Sequence, residues 1–193
     1  MTADSNLNKV LSPKYLAHVV LRTPDLQAMA RFYKTFLGAR ASFENERMAF
    51  LTYDEEHHRV ALIEIPGLAG RAGKSAGLDH VAFTYATLTD LLTAYKQRKA
   101  VGILPVWCTN HGPTTSMYYQ DPDGNRVETQ VDNFDTAEEA SAYMAGPELM
   151  ENPIGVDFDP EEVVRMLEDG VPEAEIKKRP NIGPRGVESV LWQ

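Results

Sequence analysis

Leu16-Ala17-His18-Val19-Val20-Leu21 and Leu78-Asp79-His80-Val81-Ala82-Phe83 are two short runs of one pattern. Each is a β-branched, apolar stretch of strand type with a histidine inside it. The residues after each run match as well. Beyond the first, Thr23-Pro24-Asp25 reads as a helix start, with Thr23 as N-cap and Pro24 at the first helical position. Leu26, Met29, Ala30, Phe32, Tyr33, Phe36 and Leu37 then recur at helical spacing, and Gly38 closes the helix. Strands come next over about 39–44, 48–53 and 58–65. After the second run come a helix over Leu88 to Lys99 and strands over about 102–108, 115–120 and 125–131. Phe50-Leu51-Thr52-Tyr53-Asp54 aligns with Met117-Tyr118-Tyr119-Gln120-Asp121, and Arg59-Val60 with Arg126-Val127. The chain is therefore an internal repeat of a β-α-β-β-β unit.

This predicts an α+β fold in which two βαβββ modules, about 14–66 and 78–133, form a shared half-barrel cavity as one catalytic domain, 14–133. Residues 1–13 read as an N-terminal arm, and Pro66 to Gly77 as a flexible connector. Residues 134–193 form a C-terminal tail of helical and extended character. Its helices fall at Ala137 to Met144, after Asp159-Pro160, and within Pro172 to Arg179. The tail holds too few apolar residues to fold alone. It is expected to pack across the repeat or onto a neighbouring subunit, which points to a homo-oligomer.

The chain has 193 residues, enough for one domain with a real core, and 43% of them are apolar. A net charge of −9 argues against nucleic-acid binding, which needs basic surface. The one dense basic run, Lys177-Lys178-Arg179, reads as a solvated piece of tail. A single cysteine, Cys108, excludes an internal disulfide and fits a reducing cytoplasm; it reads as a small buried apolar residue. No apolar run reaches the length of a membrane span, and Met1 to Lys14 lacks a signal-peptide core.

Five histidines stand out: His18, His57, His58, His80 and His111. A lone histidine on an apolar strand is most often a satisfied core residue. Two at matched repeat positions, His18 and His80, carry more weight, because a pseudo-two-fold arrangement turns both toward one cavity. Glu128 lies in the strand after the Asp121-Pro122-Asp123-Gly124 turn. A carboxylate inside a strand needs a partner, and a metal is one. Two imidazoles and a carboxylate make the facial triad of non-haem Fe(II) oxygenases, which leaves positions open for substrate and O₂. The repeat pairs Glu128 with Ala61, which cannot ligate, so a fourth protein ligand is missing.

Thr109-x-His111, five residues, Met117-Tyr118, two residues, Asp121-Pro122-x-Gly124, three residues, Glu128 resembles the signature of the type I extradiol ring-cleavage dioxygenases. These belong to the vicinal oxygen chelate (glyoxalase and bleomycin-resistance) superfamily of paired βαβββ modules. The resemblance covers about Tyr15 to Val131. It implies an Fe(II) enzyme that opens a catechol such as 2,3-dihydroxybiphenyl with O₂ in the catabolism of aromatic compounds. It makes His18, His80 and Glu128 the metal ligands, with Mn(II) fitting the same set. His57-His58 resembles the family's His-His-x-x-Ala segment, which makes His58 the acid-base residue and leaves His57 at the surface or behind it. His111 and Tyr118 match the positions that hydrogen-bond the substrate. Many relatives carry a second, metal-free copy of the paired module. This chain has one copy and so resembles the small single-domain class, with Phe134, Tyr143, Met144, Met150 and Phe158 of the tail as lid candidates. Two other readings use the same fold. A metal-dependent lyase or isomerase commonly takes four protein ligands, against which Ala61 argues. A non-enzymatic binding protein that confers resistance needs neither the triad nor His58, His111 and Tyr118.

Overall fold

A computed structural model describes residues 10–69 and 76–189. The expected arm falls mostly outside the described residues, as do 70–75 of the connector and the last four residues. Val10 to Pro13 are exposed and lack regular structure. Two compact units divide near Leu68.

The first unit holds β1 (Val19–Thr23), α1 (Leu26–Leu37), β2 (Arg40–Glu44), β3 (Met48–Thr52) and β4 (Val60–Glu64), in sheet order β1-β4-β3-β2. β1 and β4 are parallel; the other pairings are antiparallel. α1 lays Leu26, Met29, Ala30, Tyr33 and Phe36 on the sheet, the i, i+3, i+4, i+7 stripe that its sequence carries. The helix begins two residues later than expected. Asp25 is the N-cap and accepts from Ala28 N, while Thr23 Oγ1 accepts from Asp25 N outside the helix. Gly38 ends it at φ 61°, a left-handed conformation that costs a glycine little.

The second unit repeats the order as β5 (His80–Tyr85), α2 (Leu88–Ala100), β6 (Trp107–Asn110), β7 (Thr114–Gln120) and β8 (Arg126–Asp132). Its sheet runs β5-β8-β7-β6-β9. The fifth strand, β9 (Val156–Asp157), comes from the tail and pairs antiparallel with β6. The sequence contains no cue for a strand of two residues. β6 also starts later than expected, because Val101 to Val106 form the turn and loop after α2.

The repeat holds at the level of register. Val20 lies opposite Ala61 in the first sheet, as Ala82 lies opposite Glu128 in the second. The equivalence of Ala61 and Glu128 is thus a fact of strand pairing. The two histidines sit nearer the strand starts than expected: His18 just precedes β1 and is exposed, and His80 opens β5.

The tail packs on the second unit through α3 (Ala137–Met144), α4 (Pro147–Glu151), β9, α5 (Pro160–Glu168) and α6 (Glu173–Ile176). α5 buries Val163 and Val164 and reaches α2, where Glu161 bridges the Tyr95 hydroxyl and Lys99. Glu173 accepts from the Leu88 and Thr89 amides at the start of α2, which have no partner within the helix. Arg179 corrects the reading of its basic run as solvated. Its guanidinium donates to the carbonyls of His111, Asn152 and Glu148 and lies over the Tyr143 ring. Among the described residues, no helix is long and apolar enough to cross a membrane.

Candidate metal and substrate site

In the second unit, three neighbouring strands hold the motif side chains. β8 carries Glu128, which is 4% exposed. Its parallel neighbour β5 starts with His80, whose Nε2 lies 2.9 Å from Glu128 Oε2. On the other side of β8, Tyr118 of β7 sits opposite Glu128 in register. The Tyr118 ring meets the His80 ring edge-on at 5.3 Å, and its hydroxyl lies 2.8 Å from His111 Nε2. Alternation along β6 puts Trp107 on the same face as Thr109. The Trp107 ring stacks on Tyr118 at 4.8 Å and meets His111 edge-on. His111 comes directly after β6 in a tight turn, with its amide bonded to Thr114 O. The Asp121–Gly124 turn joins β7 and β8 as its sequence predicts, with Asp121 Oδ1 accepting from the Asp123 and Asn125 amides.

Burial and charge set the state of these groups. The hydrogen bond to Glu128 holds the His80 imidazole above the ordinary histidine range against desolvation, and Asp79 adds to it. Burial pushes the Glu128 carboxyl up, but the His80 and Ser116 hydrogen bonds outweigh it and leave the group ionised below its ordinary range. Both His80 nitrogens face carboxylates, with Asp79 Oδ2 2.7 Å from Nδ1. A proton on Nε2 therefore occupies the gap between His80 and Glu128. His80 and Glu128 would hold a divalent cation in place of that proton, and Asp79 would orient the imidazole through Nδ1. An imidazole beside an ionised carboxylate is a donor set suited to Fe(II) or Mn(II), so the residues present fit such an ion. Burial holds His111 below the ordinary histidine range and pushes the Tyr118 hydroxyl above that of a free phenol.

The first unit holds the other predicted residues. The His18 and His58 ring centroids are 4.3 Å apart, and His58 also stacks on Phe50 at 4.9 Å. Burial, then the neighbouring charges of His18 and His57, keep His58 below the ordinary histidine range. His57 is 72% exposed and faces His58 Nδ1 with its own Nδ1 at 2.5 Å, as a surface neighbour should. His58 lies in the loop just before β4 rather than at the start of that strand. Among the described residues, no three His, Cys, Asp or Glu side chains gather into one metal-holding group. The structure unites His80 with Glu128 and His111 with Tyr118, and it places His18 beside His58.

The tail's lid candidates divide. Tyr143 packs on Phe134 and against Gly112, next to His111. Met150 is 84% exposed and Met144 is 47% exposed. Phe158 lines a cavity of about 110 Å³ between β6, β9 and the tail helices. Three contributors were not read from sequence. Asp79 differs from Ala17 at the matched repeat position, and that difference is a usable signal. Trp107 is two residues before the motif's Thr109. Ile154 reaches His111 Nδ1 through its carbonyl, which no residue identity announces.

Paired βαβββ units with a half-buried imidazole on a buried carboxylate in the second define a class. Residues 15–129 match the Glyoxalase/Bleomycin resistance protein/Dioxygenase superfamily, and the chain belongs to it. Among curated relatives, it is 51% identical over 162 residues to "Biphenyl-2,3-diol 1,2-dioxygenase 2" of Rhodococcus globerulus, covering 83% of this chain and 85% of that one. It is 49% identical to "Biphenyl-2,3-diol 1,2-dioxygenase 3" of the same organism, covering 85% and 87%. A glyoxalase/bleomycin resistance protein/dioxygenase domain from Frankia sp. EAN1pec shares the fold with a TM-score of 0.53 and 20% identity, covering 63% of this chain and 99% of that one.

Proposed function

We propose that this protein is an extradiol dioxygenase that opens the ring of a catechol-type diol, biphenyl-2,3-diol foremost, and inserts both atoms of O₂. The observation that carries this is the continuous array His80–Glu128–Tyr118–His111 on neighbouring strands, in a chain half identical to two enzymes named for that reaction. In this reading His80, Glu128 and His18 hold the ion, iron(II) before manganese(II). Ala61 at the register position of Glu128 favours three protein ligands over the four of a lyase or isomerase. The ion supplies a Lewis-acidic centre that brings the diol and the oxidant together.

The chain's own residues bind the diol and manage its protons. His58 is kept neutral by burial and by its histidine neighbours, so it is ready to take a diol proton and return it later. With Nδ1 turned to His57, Nε2 is the atom that does so. His111 and Tyr118 hydrogen-bond the substrate oxygens, and the Trp107 face beside them excludes water. The modules over 14–133 are the catalytic domain, and 134–193 is its tail. The single buried Cys108 suits a cytoplasmic setting.

The test is direct. The protein is purified without oxygen, loaded with Fe(II) and mixed with 2,3-dihydroxybiphenyl, and air is then admitted. A yellow ring-fission product with matching O₂ uptake is expected. No O₂ uptake across a broad panel of catechols overturns the reading.

A further inference from the structure

The tail reaches the site through one backbone carbonyl. His111 Nδ1 lies within hydrogen-bond distance of Ile154 O. A carbonyl only accepts, so Nδ1 carries the hydrogen. In a neutral imidazole Nε2 is then a bare acceptor, and the one group placed on it, the Tyr118 hydroxyl at 2.8 Å, must donate to it.

The position of that carbonyl is heavily determined. Asn152 is 3% exposed. Its Oδ1 accepts from the Ile154 and Gly155 amides, and its Nδ2 donates to Gly155 O. Arg179 ties Asn152 O and His111 O together through one nitrogen, so tail and histidine share a clamp. Arg185 donates to Gly155 O and to both Asp157 carboxylate oxygens. Gly155 has φ 111°, and a Cβ there would lie 2.3 Å from Asn110 O and 2.8 Å from His111 Cα. Only glycine lets the tail come that close.

We infer that the tail segment 152–155 belongs to the active site. Through Ile154 O it fixes His111 as the Nδ1-protonated tautomer, and Asn152 and Arg179 are positioning residues for that histidine. The consequence concerns direction. With its hydrogen committed to His111, Tyr118 presents lone pairs outward, so the diol hydroxyl donates to Tyr118 and not the reverse. This rests on the reading of His111 and Tyr118 as substrate-contacting groups, whereas the tautomer itself does not depend on any activity. The competing acceptor for the Tyr118 hydrogen is the carboxylate of its cross-strand neighbour Glu128, which is also within hydrogen-bond reach of the hydroxyl.

The experiment is a long-range proton–nitrogen correlation of the histidine rings in the full-length ¹⁵N-labelled, metal-free protein at a pH where the rings are neutral. The His111 signals are assigned by their loss in His111→Asn. The Nδ1–H pattern is expected in the wild type. An Nε2–H pattern, or an imidazolium that persists because Tyr118 donates to Glu128, overturns the inference. Arg179→Gln and Asn152→Ala should mix the tautomers, and in the Fe(II)-loaded enzyme lower kcat for 2,3-dihydroxybiphenyl about tenfold with less change in KM. If Arg179→Gln and Asn152→Ala fold yet keep a pure Nδ1–H tautomer and full kcat, neither residue positions His111. If either fails to fold, the wild-type spectrum still decides the tautomer. Should the enzyme cleave no diol while the Nδ1–H pattern is found, the functional reading fails and the structural one stands.

Discussion

At the scale of single residues, His80 and His58 differ in what surrounds them, and that difference separates their roles. His80 lies between two carboxylates, whereas His58 lies among histidines and Phe50. His80→Ala should therefore lose the bound metal, as measured by iron content after desalting. His58→Phe should keep the metal and lose about 10²- to 10⁴-fold in kcat, the usual contribution of a placed acid-base group. Loss of iron from His58→Phe would refute that assignment. His80 was legible because the repeat matches it with His18, whereas His58 was read only from the resemblance of its His-His-x-x-Ala segment, since it lies in a loop before β4. His111 and Tyr118 were legible because the motif fixes their spacing to the turn at Asp121. The carbonyl of Ile154 was not, since every residue has one and only packing selects which is used. Asn152 and Arg179 were hidden for the same reason. Their partners are backbone atoms far away in sequence, which leave no pattern.

At the scale of elements, helix ends and strand edges carry the contacts that join the tail to its module. Glu173 caps α2 from outside the helix. Its burial would raise its pKa, but the Thr89 and Leu88 hydrogen bonds outweigh this and hold the carboxyl below 4.5. The group thus stabilises the fold fully above the ordinary carboxylate value, and this contribution vanishes as pH falls through the lower folded value. Glu173→Gln should cost about 1–3 kcal/mol at neutral pH, and the cost should shrink as pH falls through the lowered folded value, as read from urea midpoints. Gly155→Ala tests the approach of β9 to β6. The new methyl would meet the Asn110–His111 backbone, which cannot swing away as a side chain would, and a loss of about 1–3 kcal/mol is expected from thermal unfolding. The α1 stripe and the β7–β8 turn were readable from periodicity and turn chemistry. β9 was not, because two residues have no period and the strand exists only through its pairing with Thr109 and Asn110.

At the scale of the molecule, the tail is a structural part of the second unit. It supplies a strand to the sheet, Val163 and Val164 to the core and an Arg179 bond to the His111 carbonyl. A chain ending at residue 133 should expose the β6 edge and the outer face of α2. It is expected to elute as aggregate in size-exclusion chromatography, since an open strand edge pairs with other chains. Recovery of a stable monomer with native circular dichroism would show the tail to be dispensable. Composition shows that the last sixty residues hold too few apolar side chains for a core of their own and must pack on something else, but it does not say where they dock.

The late arrival of β9 also matters while the protein is being made. β6 is complete once Asn110 has been synthesised, but its edge partner Val156 is added roughly 45 residues later. At cellular elongation rates of about 5–20 residues per second, that is a delay of about 2–9 s. For that interval each nascent chain offers a bare strand edge, and neighbouring chains on one message offer the same edge to each other. Slower growth temperature or a chaperone that holds extended segments should therefore raise soluble yield more than any change to the mature protein's surface.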